Sequence, residues 1–137
     1  MNVYITSKDI DMQGFTVVKV NTNQFNFDEI PNNSCENLVV EDAIEYFDDI
    51  SGFCQGFFNL LRKGGVVKII GLDLHTVCLH YVNGQLDSKT FNEIVISGKQ
   101  AVISMGDVLQ MVKQLDMVID KCDLTEGSMY EIVARRK

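Results

Sequence analysis

The sequence predicts an α/β domain built on a mostly parallel sheet that closes with a C-terminal antiparallel hairpin. Three observations predict it. Short runs rich in β-branched residues alternate with segments in which apolar residues recur at helical spacing. One run, Asn37-Leu38-Val39-Val40, is too apolar to have a wet face and reads as a buried parallel strand. The last two runs flank Thr125-Glu126-Gly127-Ser128, a turn short enough to fold them back on each other.

The elements follow in chain order. Val3-Tyr4-Ile5 is a strand, Met12-Gln13-Gly14 a turn, and Phe15 to Val20 a second strand. Residues 21 to 36 are polar, contain the sole proline, Pro31, and read as loop. After the third strand, Ile44, Phe47 and Ile50 mark a short helical turn. Ser51 is expected to cap a longer helix carrying Phe53, Cys54, Phe57, Phe58, Leu60 and Leu61. Lys63-Gly64-Gly65 is expected to stop that helix, and Val66 to Ile70 forms a fourth strand. Two helices, about Leu74 to Val82 and Lys89 to Ile96, precede a third that Ser104 and Asp107 open as a capping pair. Met117 to Asp123 and Met129 to Ala134 complete the sheet. Met105, Met111, Met117 and Met129 are expected as core filler.

Bulk composition narrows the functional classes. The 137 residues fit one domain, 1–137, without linker, repeat or low-complexity tract, and 46% hydrophobic content supports a core. A net charge of -7 with scattered basic residues argues against non-specific nucleic-acid binding and against docking on an anionic membrane. No run reaches the roughly 18 apolar residues of a membrane span, and Met1 to Ile5 lacks a signal-peptide pattern, so the expected location is cytoplasmic. Cys35, Cys54, Cys78 and Cys122 form no Cys-x-x-Cys pair and read as reduced thiols without a visible base partner. His75 and His80, five apart, do not share a helical face, so no metal site is expected.

Three stretches carry a family resemblance. They are Leu38-Val39-Val40-Glu41-Asp42-Ala43-Ile44-Glu45-Tyr46-Phe47, Leu60-Leu61-Arg62-Lys63-Gly64-Gly65-Val66, and Ile69-Ile70-Gly71-Leu72-Asp73-Leu74. In order and spacing they resemble the short class I S-adenosylmethionine (SAM) methyltransferases of bacteria and phages. The family pattern is a strand, a Glu-His-Phe-like motif, a helix ending in Leu-x-Pro-Gly-Gly, and a strand ending near Pro-Asp-Leu. The last strand, Tyr130 to Arg135, matches the reversed strand that closes such sheets. The resemblance covers roughly residues 37 to 137. It implies a truncated Rossmann-like methyltransferase sheet, with SAM as the family's cofactor, in the cytoplasm of a bacterium or of a phage's host.

The same alignment shows departures. Where the family has a Leu-Gly-x-Gly-like loop for the methionine carboxylate, this chain has Ile5-Thr6-Ser7-Lys8-Asp9, without glycine. Where the family places an acid for the ribose hydroxyls, this chain has Lys19, or Asn21 in a shifted register, and an ammonium only donates. The segment before Asn37 is too short for the usual helix, strand and helix. Tyr46 replaces the motif histidine.

The candidate site residues follow from this placement. Glu45, Tyr46 and Asp73 are the catalytic candidates. Thr6, Ser7, Glu41 and Asp42 are the cofactor-binding candidates, at the strand-end edge where open α/β sheets bind ligands. Acids at a helix start serve its dipole equally well, and a half-buried tyrosine serves a core. Two functions compete: a small SAM-dependent methyltransferase with an unusual cofactor loop, and a degenerate member that binds no cofactor and acts as a homo-oligomeric or partner-binding assembly module. The joint loss of both cofactor handles favours the second. A different ligand, a nucleotide or sugar, in the same crevice is a third reading.

Overall fold

The computed structural model describes residues 1–20, 27–96, 101 and 103–137. Its strands are β1 (Asn2–Thr6), β2 (Thr16–Lys19), β3 (Cys35–Glu41), β4 (Leu61–Leu72), β5 (Met117–Leu124) and β6 (Met129–Arg136). Its helices are α1 (Ile50–Leu60), α2 (Leu74–Val82), α3 (Ser88–Ile96) and α4 (Met105–Lys113). The six strands form one sheet in the order β2-β1-β3-β4-β6-β5. β1 pairs in parallel with β2 and β3, and β3 with β4. β6 runs antiparallel to β4 and β5, as the short turn predicts. This is the truncated, mostly parallel sheet with a closing hairpin expected from the sequence.

The elements begin and end for local reasons, and three differ from expectation. Asp49, not Ser51, caps α1, its carboxylate accepting from the Gly52 amide at 3.0 Å. A carboxylate at that place also meets the positive end of the helix dipole. The helix stops at Leu60, before the glycines, and Leu61 already pairs with Cys35 as the start of β4. Lys63-Gly64-Gly65 therefore forms an irregularity within a strand rather than a helix end. Gly64 sits there at φ 75°, a conformation a side chain would strain. Asp73 caps α2, while Ser104 and Asp107 form the expected capping box on α4. Of the loop expected over residues 21 to 36, 21–26 lie outside the described residues. The remainder contains a 3₁₀ turn, Phe27–Glu29, and the first residues of β3.

Among the described residues, the core lies on one face of the sheet. β4 alternates buried and half-buried positions from Gly65 to Leu72, and β6 does the same from Met129 to Ala134. The buried set (Ile5, Leu38, Val40, Val67, Ile69, Ile132 and Ala134 among it) meets Phe53, Phe57 and Leu60 of α1 and Val108 and Val112 of α4. Phe47 stacks on Phe53 with ring centroids 4.2 Å apart, pinning α1 to the turn after β3. Each such side chain contributes roughly 1.5–3 kcal/mol by leaving water. Among the described residues the helix-to-strand packing runs through α1 and α4, on this face. β3, expected to be buried, is central and parallel, yet its Val39 is only half-buried because no described helix lies over it. Met129 also faces that side, so it is not core filler, whereas Met117 is buried and Met105 and Met111 pack against the core.

Candidate functional site

The candidate residues converge where β1, β3 and β4 end. Thr6, the last residue of β1, is fully buried, and its Oγ1 accepts from the Lys8 amide at 3.2 Å. That bond closes a tight turn through Ser7. The Lys8 ammonium then crosses to β3, 2.9 Å from Asp42 Oδ2 and 3.9 Å from Glu41 Oε1. Its pKa is raised by the hydrogen bond to Asp42 and by that residue's charge. Lys8 is more than half exposed, so the pair contributes little stability, about 0.5 kcal/mol. Its importance is positional. Asp42 has φ 49°, a left-handed conformation that aspartate tolerates better than most residues, and its amide donates to Ile70 O at 3.0 Å. This bend leaves the Asp42 carboxylate facing Lys8.

Glu41 is engaged on its other oxygen, which accepts from the Tyr4 hydroxyl. Burial first, then this contact, raises the Tyr4 pKa far above the ordinary phenol value. Glu45 is 3% exposed and does not line the crevice described below. A Cβ on Gly71 would lie 2.9 Å from Glu45 Oε1 and 2.8 Å from the Tyr130 hydroxyl, so both polar groups sit over the bare Gly71 backbone. Burial and the nearby Glu45 charge push the Tyr130 pKa up. Asp73 is 4% exposed, and its carboxylate accepts from the Thr76 amide at 3.1 Å, Thr76 Oγ1 at 2.6 Å and the Met105 amide at 2.8 Å. It joins the start of α2 to the start of α4. Burial alone would raise its pKa, but the bonds from Thr76 and Met105, with His75 nearby, hold it below the usual carboxylate range.

Of the candidates, Ser7, Asp42 and Tyr46 line open space. With Lys8, Leu72, Ile94 and Met129 they bound a crevice of about 480 Å³. A second hollow of about 380 Å³ runs from Lys8 and Asp9 to Val17 and Lys19. Lys8 lines both and stands between them. At the end of β2 the register pairs Thr6 with Lys19, and the Lys19 ammonium lies 2.6 Å from Asp9 Oδ1. Asn21 lies outside the described residues. His80 Nδ1 is 2.8 Å from Ser128 Oγ, tying α2 to the last turn, and His75 is exposed. Cys54 is buried, which pushes its thiol up to about 12. Among the described residues no three His, Cys, Asp or Glu side chains converge on a metal position, and no helix is long and apolar enough to cross a membrane.

Sequence reasoning missed Tyr4, Gly71 and Tyr130. Tyr130 had a signal: it alternates inward with Ile132 and Ala134. Ile94 and Met129, which wall the crevice, had none, because their meeting depends on where α3 comes to lie beside the start of β6.

No protein-family model matches the sequence, and no curated protein matches it either. Solved structures do match in shape. A SAM-dependent methyltransferase from Mesorhizobium loti superposes with a TM-score of 0.66 at 11% identity, covering 98% of this chain and 79% of that one. One from Thermotoga maritima gives 0.66 at 12% identity, covering 99% and 82%. One from Methanosarcina mazei gives 0.60 at 10% identity, covering 98% and 91%. The fold is that of the class I SAM-dependent methyltransferases. Identity this low speaks for the fold alone.

Proposed function

We propose that this chain is a methyltransferase-fold module that works by binding or assembly, without methyl transfer. The observation that carries the reading is the Lys8 bridge to Asp42 and Glu41. A SAM-binding crevice needs open backbone amides after β1 and free acceptors at the ends of β2 and β3. Here the Lys8 amide is spent on Thr6, Lys19 stands at the end of β2, Glu41 holds Tyr4, and Asp42 holds Lys8. Lys8 also lines both hollows at this edge. These groups do not fit the cofactor.

One observation favours the alternative, an active methyltransferase with an unusual loop. The crevice walled by Asp42, Tyr46 and Ile94 lies at the ligand-binding edge of the sheet. Calorimetric titration with SAM and S-adenosylhomocysteine separates the two. The expected result is no saturable binding at millimolar cofactor. A dissociation constant tighter than about 100 μM, roughly -5.5 kcal/mol, would overturn the module reading.

A further inference from the structure

We propose that Asn83-Gly84, at the end of α2, is a self-modification site, where the chain converts Asn83 to aspartate and isoaspartate without an enzyme. Asparagine is a chemically labile side chain. Its amide carbon is open to attack by the backbone nitrogen of the next residue. A Cβ on that next residue obstructs the approach, and glycine has none. Asn83-Gly84 is the one Asn-Gly step in the sequence.

The structure singles out the same residue. Asn2, Asn33, Asn37 and Asn59 have their side chains in hydrogen bonds, with Gly14, Arg136, Asn2 and Gln55 respectively. Asn83 is exposed, and among the described residues nothing bonds its side chain. Gly84 has φ 77°, with nothing within 4 Å of where a Cβ would stand, so the turn faces open space.

The helix end holds the reaction back. Asn83 is the C-cap of α2, with ψ 4°. The Gly84 amide donates to Tyr81 O at 3.1 Å and the Gln85 amide to His80 O at 2.8 Å. These are the paired bonds of a Schellman end. At this ψ the Gly84 nitrogen is turned away from Asn83 Cγ, and attack requires a rotation that breaks the bond to Tyr81. Residues 81 to 85 are all exposed, so that bond opens by local fraying rather than by unfolding of the core.

In the opened turn the Gly84 nitrogen bonds to Asn83 Cγ and gives up its proton. The Cγ–Nδ2 bond breaks, the amide nitrogen leaves as ammonia, and a cyclic imide closes. Water then opens the imide. Cleavage at Cγ gives aspartate, and cleavage at the backbone carbonyl carbon gives isoaspartate. The balance is one water consumed and one ammonia released. Either product sets a carboxylate at the negative end of the α2 dipole. Isoaspartate also adds a methylene to the main chain, which displaces the two Schellman bonds. Beyond the turn, α3 has no buried residue, rests on α2 through Phe91 stacked on Tyr81 at 4.5 Å, and supplies Ile94 to the crevice wall. Modification of Asn83 therefore loosens one wall of that crevice.

Peptide mapping by mass spectrometry tests this on the whole chain, held for weeks at mildly alkaline pH beside a free peptide of residues 81–85. Asn83 is expected to convert before Asn2, Asn33, Asn37 and Asn59, to a mixture of aspartate and isoaspartate. Its rate should fall about ten- to a hundredfold below the peptide's, the cost of opening a helix end. Asn83→Gln should abolish the conversion at this site. The converted fraction, separated by anion exchange on its added charge, should exchange the amides of α3 with deuterium faster than fresh protein does. An Asn83 that keeps its amide long after the peptide has converted completely at the slower of those rates overturns the inference. So does conversion that falls first on a hydrogen-bonded asparagine, and unchanged exchange in α3 overturns the link to the crevice.

Discussion

Lys8 shows how one side chain alters a site without much energy. Its ion pair with Asp42 is largely solvated, yet it fixes where the β1 loop can go and what Asp42 is free to bind. Asp73 makes the opposite case: its buried carboxylate accepts from Thr76 and Met105 and joins the starts of two helices. Its carboxylate is held below the ordinary value in the folded chain, so its contribution is full above the unfolded value of about 3.9 and fades as pH falls through the lower, folded one. Asp73→Asn should therefore cost about 1–2 kcal/mol at neutral pH, by loss of charge-assisted capping at two helices. Wild type and variant should converge in strong acid, because protonation removes the same charge. Urea unfolding at pH 7 and at pH 3 reads both; an unchanged difference between the two would refute the account.

At the scale of elements, helix ends were harder to read than helices. Phe53, Phe57 and Leu60 make α1 visible from spacing alone, but its cap, expected at Ser51, is Asp49, and that choice depends on where the chain leaves the Ile44–Tyr46 turn. Asp49→Ala should destabilise the protein by about 1 kcal/mol, while Ser51→Ala, within the first turn, should change it by less than about 0.5 kcal/mol. Thermal melts of the two variants decide it. The glycines at 64 and 65 misled for a related reason. Helix ends and strand irregularities both use positive-φ glycine, and the pairing of Leu61 with Cys35 is a long-range contact that local pattern does not contain. By contrast the capping box at Ser104 and Asp107 is complete within four residues, so it was legible.

The whole molecule is a methyltransferase-type sheet whose core face is covered by α1 and α4. Anything that binds only the folded chain raises its apparent stability by mass action. On the module reading, millimolar SAM or S-adenosylhomocysteine should therefore leave the melting temperature of wild type unchanged. Differential scanning calorimetry with and without the cofactor measures it; a rise of several degrees would count against that reading.

By itself, the sequence determined the alternation of strands and helices, the closing hairpin, and the place where candidate residues would gather. The first two rest on periodicity and on turn chemistry confined to a few neighbouring positions, and the third on the strand-end edge together with the family resemblance. Tertiary structure decided what those residues touch. It set Lys8 between Asp42 and the Lys19 hollow, turned Glu45 inward over Gly71 beside Tyr130, and spent Asp73 on Thr76 and Met105. It also left Val39 and its row without a described helix. These contacts join residues tens of positions apart, and their partners are chosen by how the layers stack, which no local pattern encodes.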